Sequence, residues 1–180
     1  GEDQNPPLEL IVDNEGFIYG LSLNNYPQES TTLFALDSQG KKSWQRHISD
    51  PDPDSFKLPG FPFLRKMPNN NLLVALSQQP TRQLILFNKE GNILKKQKSK
   101  SGIINEIEVD AQGFILLFGE SHPELYNQNL QLIATAEFPK GGDITSGALA
   151  QNSYHVFIGG SVPELGTMKF MVSSFSKKFK

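Results

Sequence analysis

The feature that most limits what this chain can become is a self-similarity at one fixed offset. "FGESHPEL" at 118–125 and "IGGSVPEL" at 158–165 match at Gly119/Gly159, Ser121/Ser161, Pro123/Pro163, Glu124/Glu164 and Leu125/Leu165, each pair 40 residues apart. A repeat of that length is one supersecondary unit, which cannot bury its apolar residues alone and must stack on its copies. Extending the register yields four versions of a polar turn followed by an apolar strand: "DNEGFIYGLS" from Asp13, "NNNLLVALS" from Asn69, "DAQGFILLFGES" from Asp110 and "QNSYHVFIGGS" from Gln151. A serine then precedes a proline in each copy, as Ser22/Pro27, Ser77/Pro80, Ser121/Pro123 and Ser161/Pro163. A second apolar strand follows ("TTLFAL", "RQLILF", "ELYN", "MKFMVS"), and the first two copies reach a further turn, "DSQG" and "NKEG".

The units are built of strands. No window carries the three-to-four-residue apolar period of an amphipathic helix. Leu130, Leu132, Ala134, Ala136 and Phe138 alternate with other residues as a half-buried strand does. "LFAL" at 33–36, "LILF" at 84–87 and "FILLF" at 114–118 are apolar on both faces, the mark of central strands covered on both sides. The prediction is an all-β, propeller-like array of about four four-stranded meanders, with repeats near 8–50, 61–101, 103–139 and 143–180. They form one domain over 8–180, behind a polar leader, "GEDQNPP", at 1–7. The fourth copy runs out at "SSFSKKFK", so its blade is expected to lack a strand. That leaves a small imperfect ring, a portion of a larger propeller, or half of a dimer. In the Asp-x-x-Gly steps, Asp bonds the backbone two residues on and Gly accepts the positive φ of a bulged hairpin.

"ALDSQGKKSW" at 35–44 is similar to the Ala-x-Asp…Gly-Lys-x-x-Trp repeat of quinoprotein-like propellers. The resemblance implies that Ala35, Asp37, Gly40 and Trp44 are packing and turn residues of the first repeat. The family includes quinone-dependent dehydrogenases and non-catalytic scaffolds of the bacterial envelope, and the much longer dehydrogenases resemble this chain least.

Composition removes several functions. A chain of 180 residues with 37% hydrophobic and 20% charged residues suits a folded domain. Seventeen basic and nineteen acidic residues give a net charge of −2, too weak a field to predict nucleic-acid binding. There is no cysteine, hence no disulfide, thiolate nucleophile or Cys-ligated zinc. No apolar run approaches the ~20 residues of a membrane span, and the first residues lack the basic and apolar regions of a signal peptide.

Candidate chemistry is sparse. The Asp-x-x-Gly steps lack the alternate oxygen ligands and distal acid of a calcium loop. Asp50, Asp52 and Asp54 alternate with prolines in "SDPDPDS", which suits an extended solvated loop. His47, His122 and His155 share no metal-ligand spacing. No nucleophile elbow, phosphate loop or dinucleotide fingerprint is present. Trp44 is expected to be a buried packing residue, and the lysines at 95, 96, 98 and 100 a solvated outer strand. No catalytic residue, metal or cofactor is predicted.

The sequence therefore predicts a binding or scaffold module of an exported bacterial protein, with a protein, small-molecule or carbohydrate partner and no nucleic acid or membrane span; its oligomeric state stays open. In a meander, the Asp-x-x-Gly turns fall on one face and the serine-proline loops on the other, where unequal loops carry function. Ser22, Ser77, Ser121, His122 and Ser161 are placed near that rim, with Glu124 and Glu164 close behind. The competing reading is a propeller-class enzyme, a metal-assisted hydrolase or lyase whose acids converge in the central channel.

Overall fold

The computed structural model describes residues 7–24, 30–48, 62–77, 82–100, 104–119, 123–135, 143–149, 155–164 and 167–176. They form fifteen strands in four antiparallel sheets, each a meander in chain order. The first sheet holds β1 (Pro7–Val12), β2 (Ile18–Asn24), β3 (Ser30–Leu36) and β4 (Lys42–Ile48). The second holds β5 (Phe63–Lys66), β6 (Leu72–Leu76), β7 (Gln83–Phe87) and β8 (Ile93–Lys98). The third holds β9 (Ile104–Val109), β10 (Ile115–Gly119), β11 (Glu124–Tyr126) and β12 (Leu132–Thr135). The fourth holds β13 (Asp143–Leu149), β14 (His155–Glu164) and β15 (Thr167–Ser176), three strands among the described residues.

The sheets stack face to face in sequence order. β1 contacts β5, β5 contacts β9 and β9 contacts β13, so the first strand of every sheet lies against the first strand of the next. Among the described residues no contact joins the fourth sheet to the first. One apolar layer lies between the first and second sheets, where Leu21, Leu33 and Ala35 meet Leu64, Val74 and Ile85. A second lies between the second and third, where Leu73, Ala75 and Leu84 meet Ile107, Ile115 and Leu117. Even and odd positions of β6 and β7 thus enter different layers, and Leu84–Phe87 are all buried, as a run apolar on both faces demands. In β3, by contrast, Leu33 and Ala35 are fully buried while Phe34 and Leu36 are half-exposed, because their side of the first sheet has no neighbouring sheet among the described residues. Leu10 and Val12 of β1 stand 54% and 63% exposed on that same side.

Six hairpin turns share one geometry. Starting at Asp13, Asp37, Met67, Asn88, Asp110 and Asn127, the first residue's N–H donates to the carbonyl of the fifth, and the fourth residue's N–H donates to the carbonyl of the first. The fourth residue has positive φ in every case: Gly16, Gly40, Asn70, Gly91, Gly113 and Leu130. This is the bulged turn expected of Asp-x-x-Gly, and the side-chain oxygens of Asp13, Asp37, Asp110 and Asn127 each accept two backbone N–H groups within it. At Asp13, burial acts to raise the carboxyl pKa, but bonds from the Phe17 and Glu15 amides and the Tyr19 hydroxyl outweigh it and hold the pKa below its ordinary value. The turn read from Asn69 starts two residues earlier, at Met67, and the turn at Asn127 was hidden from sequence because Leu130 replaces the signal residue. Leu130, expected at the head of a strand, instead takes the glycine position at φ 54°. Its side chain is fully buried in the second apolar layer. That burial offsets a backbone cost of about 1–2 kcal/mol.

The 40-residue self-similarity does not carry a single structural position. In the third sheet the segment 118–125 spans the end of β10 and the start of β11, whereas in the fourth, 158–164 lies wholly inside β14. There Ser161 pairs with Asp143 and Phe170, and Glu164 with Thr167. Strand pairing continues further in β14 and β15, which are ten residues each, so the expected serine-proline loop is strand.

Candidate functional site

Counted from the start of the preceding turn, Ser22, Ser77 and Ser121 stand at the ninth, tenth and eleventh place after Asp13, Met67 and Asp110, one place later in each copy. Side chains alternate across a strand, so the ninth and tenth places, those of Ser22 and Ser77, are not one repeated position. Ser22 sits within β2 opposite Thr32, half-buried. Ser77 is buried: its hydroxyl accepts the Ile104 amide at 2.9 Å and reaches the Ile104 carbonyl at 3.2 Å, tying the end of β6 to β9. Glu124 is 0% exposed. Its carboxylate accepts the Ser99 hydroxyl at 2.7 Å, the Tyr126 hydroxyl at 2.7 Å and the Lys100 amide at 3.0 Å. It joins the end of β8 to β11, and burial together with the Glu124 bond pushes the Tyr126 hydroxyl pKa well above the ordinary tyrosine value. The sequence placed Ser77 near a binding rim and Glu124 close behind it; the structure buries both side chains as braces between sheets. Ser121 and His122 lie outside the described residues.

The first strands carry a polar network that sequence reading missed. Glu9 of β1 accepts Arg65 Nη1 of β5 at 3.0 Å and also the Leu64 amide, while Arg65 Nε donates to the Ile107 carbonyl of β9 at 2.9 Å. One carboxylate and one guanidinium therefore lace three sheets together. Beside them on β9, burial raises the Glu108 pKa and the like charge of Glu106 adds to this, against the opposing pull of Arg65. Among the described residues no group of three or more His, Asp or Glu side chains has the geometry to hold a metal ion.

The outer strands are pinned in a matching way. From β4, Trp44 Nε1 donates to the Lys89 carbonyl at 2.9 Å and Arg46 Nε to the Gly91 carbonyl at 3.0 Å, both in the turn before β8. From β8, Lys95 Nζ donates to the Asn129 carbonyl at 2.7 Å in the turn before β12. Trp44 is thus a packing residue as expected, resting on Tyr19 with ring centroids 6.2 Å apart, but it is half-buried rather than enclosed. Tyr19 behind it has its pKa raised to about 12, chiefly by burial and then by Asp13. Arg46 was legible in principle, since it lies two residues after Trp44 and so on the same face of the strand.

No family model matches the sequence, and no curated protein does. Solved structures do share the arrangement. A gluconolactonase from Xanthomonas campestris matches at 17% identity and TM-score 0.56, over 86% of this chain and 54% of that one. A functionally unknown protein from Desulfotomaculum acetoxidans matches at 12% and 0.59 over 98% and 58%, and a protein from Lactobacillus plantarum at 10% and 0.60 over 94% and 55%. The fold is that of a β-propeller. The four sheets are its blades, and the chain spans somewhat over half the length of each of these structures. Identities this low establish fold alone. They bear out the propeller fold and do not single out the quinoprotein type.

Proposed function

We propose that this chain is a non-catalytic binding or scaffold module built on propeller blades, as the quinoprotein-like repeat at Ala35–Trp44 suggests for scaffolds of the bacterial envelope. One observation carries the reading: five of the carboxylates on the first strands, the turns and β11 are spent on structure. Glu9 is engaged by Arg65 and the Leu64 amide, Glu124 by Ser99, Tyr126 and Lys100, and Asp13, Asp37 and Asp110 by their own turns. A general acid or metal ligand needs lone pairs aimed at substrate, and these are aimed at backbone and hydroxyl donors.

The partner docks on the rim opposite the six turns, where the longer connections lie. Ser22, Ser121, His122, Ser161 and Glu164 are its proposed contacts, with Ser77 and Glu124 bracing the blades behind them. Tight turns suit this role poorly: within the first blade a Cβ on Gly16 would lie 3.1 Å from Ser38, and within the third one on Gly113 would lie 3.0 Å from Gln128, so the turns close against each other.

The test compares two surface variants of the full chain in cross-linking and pull-down from a bacterial envelope extract. Ser121→Arg with His122→Glu is expected to lose the partner; Gln39→Arg with Gln112→Arg, on the turn rim, is expected to keep it. The reverse pattern rejects the placement. Hydrolysis of a lactone or ester that is abolished in Glu9→Gln or Glu108→Gln would overturn the non-catalytic reading itself.

A further inference from the structure

The outer edges of the first two blades form a cleft of about 330 Å³, lined by Arg46, His47, Ile48, Phe87, Gly91, Asn92, Ile93 and Lys96. It lies between β4 and the β7–β8 hairpin, and its lining differs in charge from the rest of the molecule. The chain as a whole is slightly acidic, at −2, yet none of the eight lining residues is an Asp or Glu and two carry fixed positive charge.

Arg46 is held in place without being neutralised. Its Nε, Nη1 and Nη2 donate to the carbonyls of Gly91, Gln45 and Glu90 at 3.0, 2.9 and 3.4 Å. A guanidinium has five N–H donors, so one remains on each terminal nitrogen. Backbone carbonyls fix its direction but carry no net charge. Among the described residues Arg46 has no carboxylate within ion-pair distance. Its guanidinium carbon lies 5.7 Å from the centre of the Trp44 ring, which supports it from the side.

Lys96 faces the same cleft for a reason written in the sheet register. It pairs with Ile85, whose side chain enters the layer between the first two blades, while neighbouring Lys95 pairs with Leu86 and turns to the third blade. The bulge between Leu86 and Phe87 brings Ile93 onto the Lys96 side. The floor is apolar, with Ile48 and Phe87 at 7% and 1% exposure, and Ile93, 52% exposed, forms a wall.

We propose that this cleft is a binding site for a small organic anion: a carboxylate or phosphate group held between Arg46 and Lys96, on an apolar body resting against Ile48, Phe87 and Ile93. The volume suits a small molecule. An oriented guanidinium with two donors left and an ammonium lining the same cleft suit a carboxylate or a phosphate. The site shares no residue with the proposed loop rim, so it stands or falls separately from the docking of a partner there.

The experiment titrates the full chain with cyclohexanecarboxylate, cyclohexyl phosphate and neutral cyclohexanol at low salt, read by calorimetry and by the fluorescence of Trp44, the chain's single tryptophan. At least one anion is expected to bind saturably about tenfold or more tighter than the alcohol, and to weaken in 0.5 M salt. Which anion wins identifies the carboxylate or the phosphate source. Lys96→Glu, at an exposed position, is expected to weaken binding about tenfold or more while leaving the urea midpoint in place. Arg46→Lys, which keeps the charge but loses the oriented fork, is expected to weaken anion binding about threefold or more, and unaltered binding in it counts against the fork. Absence of saturable heat and fluorescence change with both anions, equal response to the alcohol, or unaltered binding in Lys96→Glu each overturns the proposal.

Discussion

Replacing Glu124 with alanine is the sharpest test of how the blades are held. The side chain is 0% exposed and accepts three hydrogen bonds, two of them at 2.7 Å. Its loss takes the charged acceptor away from the hydroxyl of Tyr126, a residue only 1% exposed that keeps Ser99 as a partner, and from the Ser99 hydroxyl and Lys100 amide at the blade edge. An unsatisfied buried donor costs about 1–3 kcal/mol, while donors near the edge recover water for much less, so the expected loss is on the order of 3 kcal/mol. Tyr126→Phe alone is expected to cost about 1–1.5 kcal/mol. The double variant removes donor and acceptor together, and its loss should fall short of the sum of the single losses by about 1–2 kcal/mol. Urea unfolding followed by circular dichroism, with slopes compared across the four proteins, measures the cycle. A single-variant loss below about 1 kcal/mol, or strict additivity, would refute the claim that this carboxylate clamps β8 to β11.

Three further outcomes follow from local geometry. Gly91 and Gly40 have nearly the same backbone, φ 78° and 79°, but a Cβ at Gly91 would lie 2.8 Å from the Trp44 ring whereas one at Gly40 meets nothing within 4 Å. Gly40→Ala should therefore cost only the backbone strain, about 1–2 kcal/mol, and Gly91→Ala distinctly more; equal midpoints would contradict the packing of Trp44 on that turn. Trp44→Ala should cost roughly 2–3 kcal/mol, below the loss for an enclosed tryptophan, because the ring is half-exposed; an unchanged denaturation midpoint would remove its packing role. Asp13 has a folded pKa below its ordinary value, so its stabilising contribution is present above about pH 4 and fades as pH falls through the lower folded value. Asp13→Asn keeps a capping oxygen but cannot titrate, and its stability gap to the parent is expected to narrow in acid; a gap constant from pH 7 to pH 2 argues against the linkage.

Sequence alone determined the class of the protein, because strand period and turn chemistry are local. Runs apolar on both faces in β3, β7 and β10, and an Asp or Asn whose oxygen meets the next amides, act within a few residues and are legible wherever they occur. The repeat length then required stacking, and the stacked sheets are the observed blades. Reading failed where a distant contact replaced a local signal. Met67 and Leu130 occupy turn positions that their residue types do not announce, since the burial that compensates them comes from the neighbouring blade. Ser77 and Glu124 looked like rim residues in a motif, and only the approach of β9 to one and β8 to the other made them interior braces. The Glu9–Arg65 pair, and the cleft shared by Arg46 and Lys96, join residues 50 or more positions apart. Charges so far separated acquire a partner, or keep none, only when the blades meet, and no periodicity within a single repeat encodes that meeting.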